Sequence, residues 1–174
     1  MNIFHLSRDP SVAAESLCDK HVPKMLLETA QMLSTGLRKV INTPDEDIEG
    51  VYKKAYPYHP MTVWVGSSPH NFQWAVFHGL SIGLEYRARF GGNHASEKII
   101  KNIESKAWQV GFLSEETVSL FHKKMQTPPQ CMPDEYKSEN YIQAYRNYYI
   151  GEKSYFAKWQ RGRCEPKWWV SHVS

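Results

Sequence analysis

At 174 residues, 41% hydrophobic and 22% charged, the chain is long enough to bury one real core and suits a single domain spanning residues 1–174. The formal charge of +3 is too small to demand nucleic acid by itself, and no apolar run is long enough to cross a membrane. Cys18, Cys131 and Cys164 are too few and too scattered for a disulfide scaffold, and the start Met-Asn-Ile-Phe-His lacks the basic and apolar regions of a signal peptide, so a soluble cytoplasmic protein is expected.

Ile3, Phe4 and Leu6 suggest a short extended start over residues 2–6. Asp9-Pro10, or Ser11, then opens a helix by capping. Pro23 interrupts the next helical pattern. It either kinks one helix or sits in the first turn of a second, running to about Ile41. Asn42-Thr43-Pro44 ends that helix, and an acidic loop follows to Gly50. His59-Pro60 starts a short apolar turn, Met61 to Val65.

Ser68-Pro69 pairs a cap with proline at the first helical position. That helix should run to about Phe90 and end at Gly91-Gly92. Gly79 and Gly83 lie one turn apart on it and invite close helix packing. Asn93 is placed to cap a helix carrying Ile99, Ile100 and Ile103, ending near Gly111. Ser114, followed by Glu115 and Glu116, opens another to about Met125. Pro128, Pro129 and Pro133 make the following stretch a stiff, shaped loop. A last helix, Tyr141 to Trp159, carries Tyr145, Tyr148, Tyr149 and Tyr155. The whole reads as an all-α, compact helical bundle with a proline-rich loop and a basic-aromatic C-terminal helix.

The helix beyond Cys18 holds the most informative pattern. His21, Lys24, Glu28 and Gln31 are spaced by three and four residues and form one polar stripe. Val22, Leu26, Ala30, Leu33 and Leu37 form an apolar stripe at the same spacing. One face buries itself while the other presents a histidine, a cation and a carboxylate. Glu28, flanked by Met25, Leu26 and Leu27, is the best candidate for a catalytic carboxylate, and Lys24 for holding a phosphate. The same spacing is also met by a surface ion pair between Lys24 and Glu28, worth about 0.2–0.5 kcal/mol.

Other candidates suit contact with nucleic acid. His59 stands at a helix start, where anions are favoured. Asn71 suits a base edge and Trp74 a stacking surface, although a core position is the default expectation for the tryptophan. Arg146, Tyr149, Lys153, Lys158 and Arg161 interleave cations with aromatics near the C-terminus, a composition also met by a solvated face with snorkelling lysines. Tyr148 and Tyr149 point apart on a helix, so at least one is buried. There is no paired Cys/His spacing, P-loop, G-x-G-x-x-G or nucleophile elbow, so no metal or cofactor is expected.

Asp19-Lys20-His21, with Glu28 seven residues after the histidine, resembles the N-terminal helix of the pyrimidine-dimer DNA glycosylases of the repair-type endonuclease V family. There an Asp-Gln-His precedes the catalytic glutamate at the same offset. The block from His59 to Phe90 resembles that family's second long helix, and residues 145–153 resemble its aromatic, basic end. With its proline loop the chain is similar to a longer branch found among tailed phages. The likeness is good over residues 17–38, moderate over 57–90 and thin elsewhere.

The resemblance implies a small helical DNA-repair enzyme that binds kinked, damaged or modified double-stranded DNA and flips a nucleotide from the stack. The family's N-terminal amine attacks the sugar C1′, giving a Schiff base and then strand cleavage. Asn2 is too large for ready removal of the initiator, so that amine belongs here to Met1. Glu28 matches the glutamate that stabilises the cationic sugar and moves protons. His21 and Lys24 match groups that position it, and Lys20 and Gln31 join the expected DNA contacts. Lys24, Leu27 and Gln31 stand where the family has arginines. Two other classes fit the same residues: a transferase that modifies a base in phage DNA, and a non-enzymatic helical DNA-binding or inhibitory module.

Overall fold

The computed structural model describes residues 1–43 and 47–169. Among them are seven α-helices, one 3-10 turn and no strand. The expected loop start at Pro44 and the acidic residues Asp45 and Glu46 lie outside the described residues.

Each helix begins where local chemistry supplies a cap. Helix α1, Pro10–Glu15, starts at Asp9, whose carboxylate accepts from the Ser11 and Val12 amides. Helix α2 spans His21–Val40, so Pro23 sits in its first turn and removes only an amide that has no intrahelical partner. Helix α3, Pro60–Val65, is capped by His59 Nδ1, which accepts from the Met61 amide. Helix α4, Pro69–Phe90, is capped by Ser68 and ends at Gly91, left-handed at φ 76°. Helix α5, Ala95–Gln109, is capped by His94 rather than Asn93, because the ring nitrogen of His94 reaches the Ser96 amide. Helix α6, Glu115–Lys124, starts at Ser114 as expected.

Helix α7 is shorter than its pattern. It spans Tyr141–Lys153 and stops six residues before Trp159. Tertiary contacts pull the chain away there. The Trp159 indole is 7% exposed and donates to Ser16 O, Lys158 O accepts the Asp19 amide, and the Gln160 amide donates to Asp19. Lys158 and Arg161 therefore lie on an irregular strap, while Arg146 and Lys153 stay on α7. The proline loop is irregular except for a 3-10 turn at Asp134–Tyr136.

Helix α2 is central. Its apolar stripe, Val22, Leu26, Ala30, Leu33 and Leu37, is fully buried, and burial extends round to Thr29, Ser34 and Arg38. Helix α4 packs on α1, α2, α5 and α6. Gly79 explains the close approach: a Cβ there would lie 2.5 Å from Ile100 Cδ1 on α5 and 3.2 Å from Thr29 Cγ2 on α2. The extended start threads into this core rather than pairing as a strand. Phe4 stacks on His21 and meets Tyr149 edge-on, and His5 stacks on Trp74. Burial of these side chains carries the first residue to the flank of α2.

One ionic cluster ties α4 to the junction before α2. The Arg89 side chain has no solvent exposure. Its Nε donates to Glu85 at 2.9 Å, Nη1 to Leu17 O and to Asp19, and Nη2 to Glu15 O. Arg163 of the strap closes on the same Glu85. Removing the guanidinium strands buried acceptors. Arg89→Ala is expected to lower unfolding free energy by about 3–5 kcal/mol. Equilibrium urea denaturation checks this, and an unchanged midpoint would refute it.

Candidate active site

Helix α2 presents His21, Lys24 and Glu28 along one line, one turn apart. The extended start, the proline loop and α7 close round that line. Together they form a cleft of about 210 Å³ whose lining includes Met1, His21, Lys24, Glu28, Cys131 and Lys153.

The Glu28 carboxylate is 13% exposed and engages the chain start twice. Its Oε2 accepts the Asn2 amide at 2.7 Å and lies 3.8 Å from the Met1 ammonium. The Met1 side chain is only 2% exposed, while the residue as a whole is part exposed, so Met1 shows its main chain to the cleft. Its sulfur packs inward, accepting from Thr62 on α3. Asn2 fixes this register, since its side-chain amide donates to Cys131 O. The proline loop thus clamps the first residues, and Tyr145 anchors the loop by donating to Pro129 O at 2.7 Å.

His21 is almost fully buried, between the rings of Phe4, Tyr149 and Phe156. Its Nδ1 sits 2.7 Å from the Tyr149 hydroxyl, which also contacts Cys18. Burial, then the charges of Lys153, Lys24 and Lys20, lowers its pKa to about 3. A neutral imidazole at pH 7 orients neighbours through hydrogen bonds and brings no charge to the cleft. Burial also lowers the pKa of His59, the Met1 amine adds to that effect, and Glu28 opposes it. His59 therefore flanks the same site, electrostatically coupled to both groups.

The cleft is basic. Lys24 and Lys153 line it with the Met1 ammonium, and among the described residues Glu28 is the one carboxylate in its lining. Lys153 lies 4.8 Å above the Tyr148 ring, and Lys20 lies 4.7 Å above Phe156 at the edge of the site. One acid within a set of cations suits a ligand carrying phosphate beside a centre that develops positive charge.

Several expected contact residues are placed elsewhere. Asn71 is fully buried, donating to Trp64 O and accepting the Gln126 amide. It holds the end of the α6 connection to α4 and offers no edge to a base. Trp74 is fully buried and donates to Arg8 O. Tyr149 is fully buried beneath His21. Those three are core groups and, contrary to expectation, offer no surface for stacking or base contact. Arg146 donates Nε to Leu6 O and lies over Trp168, which makes it a tether for the extended start. Gln31 is half-buried one turn past Glu28 and does not line the cleft. Lys158 and Arg161 are exposed on the strap, outside the cleft, with Arg161 over Phe90.

Phe4 and Cys131 also line the cleft without any local signal in the sequence, because they reach it only through long-range packing, whereas Tyr148 lines it from the aromatic-cationic pattern of α7. The fold and site define an all-α domain with a basic, single-carboxylate cleft built on its first long helix. Comparison with protein-family models, with curated proteins and with solved structures returns no match to this chain. Among the described residues no helix is long and apolar enough to cross a membrane, and no cluster of three or more metal-ligating side chains occurs.

Proposed function

We propose that this protein is a DNA-base-directed enzyme that acts at the N-glycosidic bond of a damaged or modified nucleotide, with Glu28 as its key carboxylate. The single observation that carries the reading is the approach of the Met1 amine to Glu28, 3.8 Å apart in a basic cleft. Glu28 accepts the proton that the ammonium gives up. The freed nitrogen attacks C1′ of the flipped nucleotide, the C1′–N bond breaks, and the base leaves with the bonding pair and a proton. The cationic sugar then collapses with ring opening to an iminium, its charge balanced by the Glu28 carboxylate. β-Elimination from the iminium takes a C2′ proton, expels the 3′-phosphate and cleaves the strand while the amine stays bonded to C1′; hydrolysis of the imine, with or without that elimination, releases the amine.

Lys24 and Lys153 hold the flanking phosphates in this scheme, and neutral His21 and His59 orient the groups between them. The experiment is product analysis on duplexes carrying an abasic site or single modified pyrimidines. Released base or strand scission at the marked position supports the reading. Intact strands and no free base across the panel, from protein that binds the same duplexes, would overturn it.

Phosphate contact has its own signature. Each phosphate neutralised contributes about 0.9 to the slope of log affinity against log salt. Lys24→Ala and Lys153→Ala are each expected to flatten that slope by about one, whereas Lys158→Ala leaves it nearly unchanged. A slope insensitive to both cleft lysines would show that the cleft does not meet the DNA backbone.

A further inference from the structure

A second cavity, which shares no lining residue with the cleft, lies along the C-terminal half of α2. It has a volume of about 280 Å³ and a mostly apolar lining from α2, α3 and the segment before α3. Thr62 of α3 lines this cavity, and its hydroxyl contacts the Met1 sulfur. The size is near the lower end of small-molecule pockets, which start at about 300 Å³.

Arg38 makes this cavity unusual. The residue is 2% exposed, and among the described residues the one hydrogen bond of its side chain runs from Nη1 to Ser34 O, at 2.9 Å. A guanidinium has five N–H donors, and a buried one is costly unless its remaining donors find an acceptor. Among the described residues the acid that acts on it through space is Asp47, which is itself exposed and gives it no hydrogen bond. Among the described residues no carboxylate lines the cavity, while Lys39, Lys54 and Asn42 belong to its lining. The wall opposite is smooth. Gly36 and Gly66 bring α2 and α3 so close that a Cβ on Gly66 would lie 3.1 Å from Gly36 Cα, and Pro57 and Val63 extend that surface. A planar fork beside a second cation suits a dianionic oxyanion, and a flat apolar wall suits a ring.

We infer that this cavity is a binding site for a free nucleoside monophosphate, with the phosphate on Arg38 and Lys39 and the ring against Pro57, Val63 and the Gly36–Gly66 contact. This site is separate from the Glu28 cleft and stands or falls independently of the reading given to that cleft. The phosphate monoester is shared with the 5′-phosphorylated end of a DNA strand, but the nearly complete burial of Arg38 favours a small ligand over a strand.

Thermal unfolding and isothermal titration test this with thymidine 5′-monophosphate, inorganic phosphate, thymidine and a 5′-phosphorylated oligonucleotide. The monophosphate is expected to raise Tm and inorganic phosphate to raise it less, while thymidine leaves it unchanged. Arg38→Met is expected to weaken the monophosphate at least tenfold while leaving the ligand-free Tm equal or higher, because it removes a buried cation that lacks a full set of partners. Lys39→Ala, at an exposed position, is expected to weaken it several-fold with no change in Tm. Glu28→Gln leaves this binding as it is.

Equal binding of thymidine and its monophosphate, or affinity indifferent to Arg38 and Lys39, would overturn the inference. So would a lowered ligand-free Tm for Arg38→Met, since the arginine would then be a structural group. Protection by the phosphorylated oligonucleotide without protection by the monophosphate would place a DNA end there instead and overturn the assignment to a free nucleotide.

Discussion

Glu28→Gln is expected to lower the rate of base release or strand scission by about a thousandfold, within the range ascribed to a positioned acid or base. The change keeps volume and keeps an acceptor for the Asn2 amide, which now donates to the carboxylate at 2.7 Å. What it removes is the negative charge 3.8 Å from the Met1 ammonium. Both the proton acceptor for the amine and the counter-charge for the cationic sugar are then lost. DNA affinity is expected to stay within about threefold, because Lys24 and Lys153 are untouched and one competing anion is gone. Single-turnover kinetics beside equilibrium binding separates the two effects. Unchanged turnover in Glu28→Gln would remove Glu28 from the chemistry, and a collapse of affinity with normal turnover would make it a contact residue.

Acid is expected to unfold the protein well above the usual carboxylate range. His5 and His78 both stack on Trp74, with ring centroids 4.2 and 4.9 Å from the indole. Neither nitrogen of His5 has a partner among the described residues, and His78 has only Pro10 O, on Nδ1. Burial holds His5 well below its ordinary pKa, with His78 adding to the effect. Burial lowers His78 to about 4 against the opposing Pro10 bond, and His21 stands at about 3. Folded-state values lie below the unfolded value near ~6.5, so the unfolded chain binds protons that the folded chain refuses. This contribution to stability is complete above about pH 6.5 and declines as pH falls toward the folded values. At pH 5 each histidine costs about 2 kcal/mol, so three cost about 6 kcal/mol, against typical total stabilities of about 5–15 kcal/mol. Urea midpoints at pH 7 and pH 5 check this. A midpoint that does not fall between them would show that these rings take up protons without unfolding the core.

Local chemistry made much of this architecture legible. Asp9, Ser68 and Ser114 announce helix starts by their side chains, and Gly91 announces an end by its backbone freedom. The apolar stripe of α2 is buried as its spacing implies, because one element supplies the whole pattern. Helix α4 is less transparent. It is covered by neighbours on several sides, so its polar residues are buried with its apolar ones and no single face stands out. Asn71 and Tyr149 look like contact residues until their partners are known, and those partners, Gln126 and Cys18, lie 55 and 131 residues away. The grouping of Met1 with Glu28 depends on the buried extended start and on the clamp from Asn2 to Cys131, neither of which has a periodic signal. The end of α7 was misread for the same reason: Trp159 and Lys158 answer to Ser16 and Asp19 and not to helix propensity.

The central claim is that the amine at residue 1 becomes covalently bonded to a sugar carbon while Glu28 manages its proton. Borohydride reduction during reaction with an abasic-site duplex, followed by peptide mass mapping, tests that claim most directly. The account predicts a stable protein–DNA adduct on the peptide that begins at Met1, strongly reduced in Glu28→Gln. An adduct mapped to a lysine, or no adduct from protein that cleaves the same duplex, would contradict it.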